Sequence, residues 1–179
     1  MTIAPGVYEL DPESADLVVR TGTEGAAAAM GHALTLGVSS WSADFTATDD
    51  LEGCSLRAEF DLSTLLVRSG TGGVTALTEP NKRDIIANAA KALGHKGSAL
   101  ATFVSTTVTG DWDRALITGD LTLHGKTQPL TFTAVRSEGE FTVTGTLVQT
   151  AFGIKPFSTM LGALRLRDAV EIEVKVDFD

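Results

Sequence analysis

The chain of 179 residues has 14 Lys and Arg against 23 Asp and Glu, which gives a formal net charge of −9. This acidity disfavours binding to nucleic acid and to anionic lipid surfaces, because both need clustered basic residues. The single cysteine, Cys54, excludes an internal disulfide, and no segment has the roughly 18 consecutive apolar residues of a transmembrane helix. The opening MTIAPGVYEL lacks the features of a signal peptide, so we expect a cytoplasmic protein that is not an integral membrane protein.

An alternation of apolar and polar residues dominates the chain and is typical of strands with one buried face and one exposed face. It is complete in EIEVKVDF (Glu171–Phe178) and clear in SLRAEFDL (Ser55–Leu62). The other segments of this kind are Ala15–Thr21, Val38–Ala47, Ala99–Val108, Ala115–His124, Leu130–Val135 and Glu140–Gln149. About eight such strands with short connections predict an antiparallel barrel or sandwich.

Two segments depart from this pattern. Apolar residues at helical spacing predict an α-helix over Pro80–Leu93, capped by Asn81 and ended by Gly94. The apolar stretch Phe152–Leu164 is interrupted by a proline and a glycine, which indicates a loop with a helical turn. The stretch RSGTGGVTALTEP is the longest predicted loop.

The stretch GDLTLHGKTQPLTFTA (Gly119–Ala134) contains His124 and Lys126 between two predicted strands. A hairpin tip needs a glycine and polar residues, whereas a general base needs a cleft and a partner within hydrogen-bond reach. No such partner is evident in the sequence. We therefore interpret the two residues as part of a turn rather than as a catalytic pair.

Neither a metal nor a cofactor is expected. His32, His95 and His124 each lie beside a glycine, and none has the spacing of a metal-ligand pair. The Gly-rich stretch Ser69–Ala76 lacks the third glycine of the dinucleotide-binding motif G-x-G-x-x-G. It also lacks the βαβ unit in which that motif occurs.

Five motifs, in the same order, resemble those of the YceI-like family. GDLTLHGKTQPLTFTA resembles the family's signature hairpin, and YELDPESADLVVRT resembles its opening strand pair. The others are NKRDIIANA, ATFVSTTV and AFGIKPFSTMLGALRLRDAVEIEVKV, the last in a form similar to an actinobacterial branch. Two features differ from the family's usual pattern. Many relatives are exported, whereas we expect this chain to be cytoplasmic. The Ala-rich segment EGAAAAMGHALTLGVSSW stands where common members have a different sequence.

The resemblance implies an all-β fold, namely an antiparallel eight-stranded lipocalin-like barrel with one short α-helix and a helical-turn C-terminal loop. Residues 1–179 would form a single lipid-binding domain. Known members bind a polyisoprenoid or fatty-acyl chain, so the implied partner is a long apolar lipid. A homodimer is left open.

The alternation identifies a set of side chains that would line the interior of such a barrel. Small residues such as Ala58 on these inward faces leave room for a slender ligand. The set is Trp41, Phe45, Leu56, Ala58, Phe60, Phe103, Leu121, Leu123, Leu130, Phe132, Ile172 and Val174. Phe152, Phe157, Met160 and Leu164 are expected to close one end, where Lys155 meets a ligand head group or extends to water.

Three hypotheses about function follow. The first is a carrier that sequesters or transports a long apolar lipid without catalysis. The second is an enzyme of isoprenoid or quinone lipid metabolism that uses the same cavity, with His124, His95 or Lys155 at its mouth. The third is an interaction module with a filled barrel. The volume of the interior distinguishes the third hypothesis from the other two, and convergent polar side chains would distinguish the second from the first.

Overall fold

A computed structural model describes residues 3–94 and 99–178 of the chain. In chain order its strands and helix are β1 (Gly6–Leu10), β2 (Ala15–Arg20), β3 (Thr23–Glu24), β4 (His32–Val38), β5 (Trp41–Ala47), β6 (Ser55–Asp61), β7 (Leu65–Gly72), α1 (Glu79–Ala92), β8 (Leu100–Gly110), β9 (Arg114–Leu123), β10 (Lys126–Ser137), β11 (Glu140–Val148), β12 (Ser158–Thr159), β13 (Leu164–Leu166) and β14 (Ala169–Val176). No helix in these ranges is both long enough and apolar enough to cross a bilayer.

Eleven of the strands form one antiparallel sheet, in the order β1-β5-β6-β8-β9-β10-β11-β14-β2-β4-β7. The chain runs from β4 into β5, β5 pairs with β6, and β6 pairs with β8. A path that starts at β8 and passes from neighbour to neighbour through β9, β10, β11, β14, β2 and β4 therefore continues into β5 and β6 and returns to β8. The sheet curls around an interior, which confirms the predicted all-β, antiparallel, lipocalin-like class, although the strand count differs from eight.

The difference in strand count comes from bends in long strands. A bend at Ser39 and Ser40 separates β4 from β5, and the 3₁₀ turn Leu62–Thr64 separates β6 from β7. The pairing continues across these bends, because the Ser39 N–H donates to the Thr64 carbonyl at 3.3 Å and the Asp61 N–H donates to the Ser40 carbonyl at 2.9 Å. Together with β1 and β2, these are three bent pairs. If each bent pair is counted as one strand, eight strands surround the interior.

The predicted helix is present as α1, but its predicted N-cap is wrong. Thr78 is the N-cap: its hydroxyl accepts from the Asn81 N–H, and the Asn81 side chain accepts from the Thr78 N–H at 3.0 Å. This reciprocal capping box satisfies two backbone donors that the helix itself leaves free. Gly94 has φ +65° just after the helix, as expected for the glycine that ends it.

The helix lies beside β7, one of the two edge strands of the main sheet. β7 pairs only with β4 in the main sheet. Ile85 and Ile86 of α1 pack against a small cluster of Leu34, Leu36 and Val67 from these two strands. At this side of the barrel, α1 takes the place of a neighbouring strand and is held by burial of apolar area rather than by backbone pairing.

The stretch Phe152–Leu164 contains more structure than the predicted loop with one helical turn. It follows a 3₁₀ turn at Gln149–Phe152 and includes a second at Met160–Gly162. Between and after these turns, β12 and β13 join β3 in a separate three-stranded sheet. This small sheet lies beside the segment that connects β2 to β4.

Besides β1, which only the family resemblance indicated, two strands of the main sheet lie largely outside the segments identified by alternation. Most of β4 falls in the Ala-rich segment, and the predicted strand Val38–Ala47 begins at the last residue of β4 and continues through β5. The second half of β7 falls in a Gly-rich stretch that was predicted to be a loop. Alanine and glycine weaken the hydrophobic contrast between the two faces of a strand, so the signal is lost there.

Candidate ligand cavity

The curled sheet encloses a cavity of about 460 Å³ whose walls are almost entirely apolar. This volume is within the range of pockets that bind small molecules. Space arises where alanines take the place of larger side chains on the inward face of the sheet. Ala43 pairs with Ala58, and Ala101 pairs with Phe60 on the same face of the sheet. All three alanines are buried and line the cavity.

Aromatic rings pack across one end of the cavity, which we call the aromatic end. The Phe178 ring lies 5.3 Å from that of Tyr8, 5.5 Å from that of Phe45 and 5.6 Å from that of Phe141, measured between centroids. Phe45 is in β5 and Phe141 is in β11, strands that are not neighbours in the sheet. The cluster therefore spans the interior, and Trp112 from the turn between β8 and β9 joins the lining there.

The opposite end, which we call the mouth, is built from connecting segments instead of a cluster of packed rings. Helix α1 contributes one face, with Ile85, Asn88, Ala89 and Ala92 at helical spacing. The β12–β13 hairpin, 157–166, contributes further apolar side chains. Those that line the cavity are Phe157, Leu164 and Leu166.

Several polar side chains also line the cavity, and most of them have partners within the protein. A ring nitrogen of His32 lies 2.9 Å from the Thr75 carbonyl oxygen. The other contacts are Gln149 Nε2 to the Arg167 carbonyl (3.0 Å), Arg165 to the Glu24 carboxylate (3.2 Å) and Thr23 Oγ1 to the Ala28 carbonyl (3.0 Å). These groups are held by structural contacts.

Asp111 lines the cavity near the aromatic end, but its carboxylate takes part in the β8–β9 turn. It accepts hydrogen bonds from the backbone N–H groups of Arg114 and Asp113, each at 2.9 Å. These bonds stabilise the charged form, so they lower the pKa of Asp111. The carboxylate is therefore ionised at neutral pH and committed to the turn.

Asn88 differs from the other polar side chains of the lining. It is half-buried on the cavity side of α1, and its amide has no hydrogen-bond partner within residues 3–94 and 99–178. Sequence reasoning did not single it out. The available signal was its helical spacing from Ile85 and Ala92, which places an amide on the apolar face of the helix.

Most of the predicted ligand-binding residues line the cavity. These are Trp41, Phe45, Leu56, Ala58, Phe60, Phe103, Leu121, Leu123, Phe132, Phe157, Leu164, Ile172 and Val174. The structure adds Ile154 and the α1 face, neither of which was predicted. Their place on the walls is a matter of geometry, whereas their role in binding a ligand stays a prediction.

Four predicted residues do not line the cavity. Phe152 is only 2% exposed and packs in the core below it, and Ile154 is the inward residue that reaches the wall. Lys155 follows Ile154 and therefore points to solvent. Met160 is exposed at the tip of the β12–β13 hairpin. Leu130 packs against the core and does not reach the cavity.

The tip of the β9–β10 hairpin is a two-residue turn. Leu123 pairs with Lys126, so only His124 and Gly125 lie between the strands, with φ of +53° and +73°. Positive φ at both positions is the geometry of a type I′ turn, which matches the twist of the flanking strands. Lys126 is therefore a strand residue and not part of the tip.

His124 has a structural partner. Its Nδ1 lies 3.1 Å from the carbonyl oxygen of Phe152 and thereby ties the hairpin to the neighbouring 3₁₀ turn. Neither His124 nor Lys155 lines the cavity, and His95 lies outside the described residues. Within those residues, no group of three or more His, Cys, Asp or Glu side chains is placed to hold a metal ion.

Sequence comparison identifies the domain to which these features belong. The pattern of the YceI-like domain matches residues 8–178. The chain belongs to the YceI-like family. No curated protein matches it significantly.

Solved structures similar to this YceI-like chain share its fold at low identity. BcnA of Burkholderia cenocepacia is 17% identical, with a TM-score of 0.60 over 90% of this chain and 94% of BcnA. A mutant CJ YCEI protein with a monobromobimane guest is 12% identical, with a TM-score of 0.56 over 80% of this chain and 83% of its own. A second mutant of that protein, made for nanotechnology applications, is also 12% identical, with a TM-score of 0.53 over 79% and 82% of the two chains.

Proposed function

We propose that this YceI-like protein is a carrier that holds one long apolar lipid, of the polyisoprenoid or fatty-acyl kind, and performs no catalysis. The observation that supports this most is the apolar cavity of about 460 Å³ inside the sheet. A filled barrel, as in an interaction module, would leave no such space. Membership of a family whose members resemble lipocalins favours the same function.

The chemistry of the lining suits a hydrocarbon chain. Burial of each CH₂ group contributes about 0.8 kcal/mol, so affinity grows with chain length without any directional contact. Such a lining discriminates weakly between chains of similar width, because one methylene more or less changes the binding energy little. The walls thus select an apolar and elongated ligand rather than one particular structure.

Asn88 gives the ligand an orientation. Its free amide lies on the cavity side of α1 at the mouth, where the remainder of the helix face is apolar. A polar head group placed there would hydrogen-bond to the amide while the tail extends toward the aromatic end. A hydroxyl, phosphate or carboxylate head would satisfy the amide equally well, so Asn88 does not select among them.

The enzyme hypothesis has less support. Two of its candidate groups, His124 and Lys155, are outside the lining. Of the groups in the lining, His32 is bonded to a backbone carbonyl and Arg165 to Glu24. General acid–base catalysis needs an available group within about 3 Å of the reacting atom, and these contacts leave little freedom for it.

The experiment that tests the carrier is organic extraction of the protein purified from its native host, followed by mass spectrometry. We expect about one long-chain lipid per protein molecule. A fluorescent fatty acid then provides the affinity of delipidated protein. Recovery of no lipid, together with no saturable binding of the probe, would overturn the proposal.

A further inference from the structure

We infer that the mouth of the cavity docks on the surface of a lipid bilayer through an apolar patch formed by 26–30 and 160–163. We call these residues the docking patch. The inference rests on the proposed function, because a carrier must exchange its lipid with a membrane. The inference identifies the surface of the protein that contacts the membrane and the residues that insert into it.

The docking patch exposes large apolar side chains to solvent. Leu161 is fully exposed, and it is the most exposed large apolar residue in the described part of the chain. Met160 is 49% exposed and Met30 is 44% exposed. An exposed leucine alone needs no explanation, but several apolar side chains gathered on two adjoining turns indicate an interaction site.

The backbone of the hairpin holds Leu161 outward. Met160, Leu161 and Gly162 have consecutive positive φ angles of +52°, +56° and +89°. Bulky apolar residues rarely adopt this conformation, whereas glycine and asparagine adopt it readily. The fold would therefore be served better by a polar residue at position 161. The apolar side chain needs another reason, and contact with an apolar environment provides one.

The two turns of the docking patch form one surface. The Ala27 N–H donates to the Ala163 carbonyl at 2.8 Å. Gly25 approaches the same carbonyl so closely that no side chain would fit there. Since both turns are fixed to each other, Met30 and Leu161 are presented together rather than on independent loops.

The docking patch is continuous with the cavity. Phe157 and Leu164, on the hairpin that presents Leu161, line the cavity, and so does Gly31, which follows Met30 directly. A lipid tail that leaves the cavity along this hairpin would stay on apolar surface. Without such a path, each step would expose hydrocarbon to water.

The chemistry of the docking patch favours a bilayer over a protein partner. The patch contains only Ala, Met, Leu and Gly. Protein interfaces are enriched in aromatic residues, Arg and Met and depleted in Ala, whereas five of the nine residues of the patch are Ala and none is aromatic or Arg. At its base, Arg165 is paired with Glu24, so this pair adds no net charge. With a net charge of −9 on the chain, docking would depend on insertion of apolar groups and not on attraction to anionic lipid.

Flotation with phosphatidylcholine vesicles tests the inference. The variant Leu161→Asn suits the left-handed backbone and leaves the net charge unchanged, so it isolates the loss of the apolar side chain. We expect about a tenfold lower vesicle association, because burial of a leucine is worth about that factor. The matched control is Val7→Asn, which removes a side chain that is 65% exposed on β1, near the aromatic end. It should leave association unchanged.

A second variant and a second measurement separate this inference from the proposed function. Leu161→Trp should raise vesicle association, since tryptophan prefers the membrane interface. Transfer of a fluorescent fatty acid from vesicles to protein should slow in Leu161→Asn, while the affinity for the probe in solution stays the same. Equal association of wild type, Leu161→Asn and Val7→Asn overturns the docking patch but not the carrier. Absence of probe binding in the wild type overturns the carrier.

Discussion

The two ends of the barrel are built from different parts and have different properties. At the aromatic end, rings from strands on different sides of the sheet meet around Phe178, and short turns join regular strands. At the mouth, the lining comes from α1, none of whose residues is fully buried, and from the small sheet with its exposed tip. The comparison indicates that the aromatic end contributes more to the stability of the fold, whereas the mouth gives a ligand access to the cavity.

The largest difference should appear when one phenylalanine is truncated at each end. Phe141→Ala removes a buried ring from the aromatic end, and we expect it to lower the free energy of unfolding by about 3 kcal/mol. Phe157→Ala removes a ring that is 41% exposed at the mouth and should cost about 1 kcal/mol. Denaturant unfolding of both variants, without lipid, measures the difference. Equal losses would mean that the ends do not differ in their contribution to stability.

The cavity between the ends can be filled from within. Ala58→Trp should reduce the affinity for a fluorescent fatty acid about tenfold or more, because the ring occupies ligand space that would otherwise bury several CH₂ groups. In a packed core the same change would cost about 1–3 kcal/mol of stability. In an open cavity the melting temperature of delipidated protein should hardly change.

The matched control for this substitution is Ala33→Trp, at an exposed position of β4. It should alter neither quantity. A large loss of stability in Ala58→Trp with unchanged probe affinity would contradict an open cavity.

The orientation of the ligand depends on the mouth. Asn88→Leu removes the free amide and keeps a side chain of similar size. We expect about fivefold weaker binding of a probe with a carboxylate head, in line with the loss of one hydrogen bond, and unchanged binding of a hydrocarbon without a head group. Titration with both probes makes the comparison. Equal effects on both would place the head group elsewhere.

The helix at the mouth depends on its cap. Thr78→Ala removes the hydroxyl of the capping box and should lower stability by about 1 kcal/mol. Hydrogen exchange should accelerate in α1 and remain slow in the strands of the aromatic end. Uniform acceleration throughout the chain would show that the two ends open together.

The smallest effect concerns pH at the aromatic end. The pKa of Asp111 is lowered from its ordinary value of 3.8 by the N–H groups of Arg114 and Asp113. A lowered pKa in the folded state gives stability that is present above the ordinary pKa and is lost as the pH falls through the folded value. The melting temperature should therefore fall below about pH 4 more steeply in the wild type than in Asp111→Asn.

In that variant the amide oxygen still accepts both hydrogen bonds, but it does not titrate. Asp113→Asn changes the charge of the same turn equally and serves as the control. Parallel pH profiles of the wild type and Asp111→Asn would contradict the assigned cause.

The strands with complete alternation were predictable because their two faces differ in polarity at every position. Glu171–Phe178 is observed within two residues as β14, and Ser55–Leu62 as β6. The hairpin of His124 was placed correctly but described too broadly, since only two residues form the turn. Two of the three bends, at Ser39 and Ser40 and at Leu62–Thr64, have weak sequence signals, because serine and threonine occur in strands as well as in turns.

Much of the lining followed from the same alternation, but Leu130, in the regular strand β10, packs against the core and does not reach the cavity. Lys155 and Met160 lie in the segment without a regular period, where the direction of a side chain depends on which neighbours the turns bring near. Asn88 was overlooked because an amide on an otherwise apolar helix face gives no period of its own. For Lys155 and Met160, the position was set by contacts between segments distant in the chain.

By itself the sequence determined the class of the fold, most of the inward faces and the position of the helix, because these depend on local periodicity and on capping near the residue concerned. Only the tertiary structure decided that the interior holds a cavity, that aromatic rings cross one end and that Leu161 projects from the other. These properties depend on how much volume the inward side chains leave once the sheet curls. No local pattern records that volume, since it is the difference between the space enclosed by distant strands and the space their side chains fill.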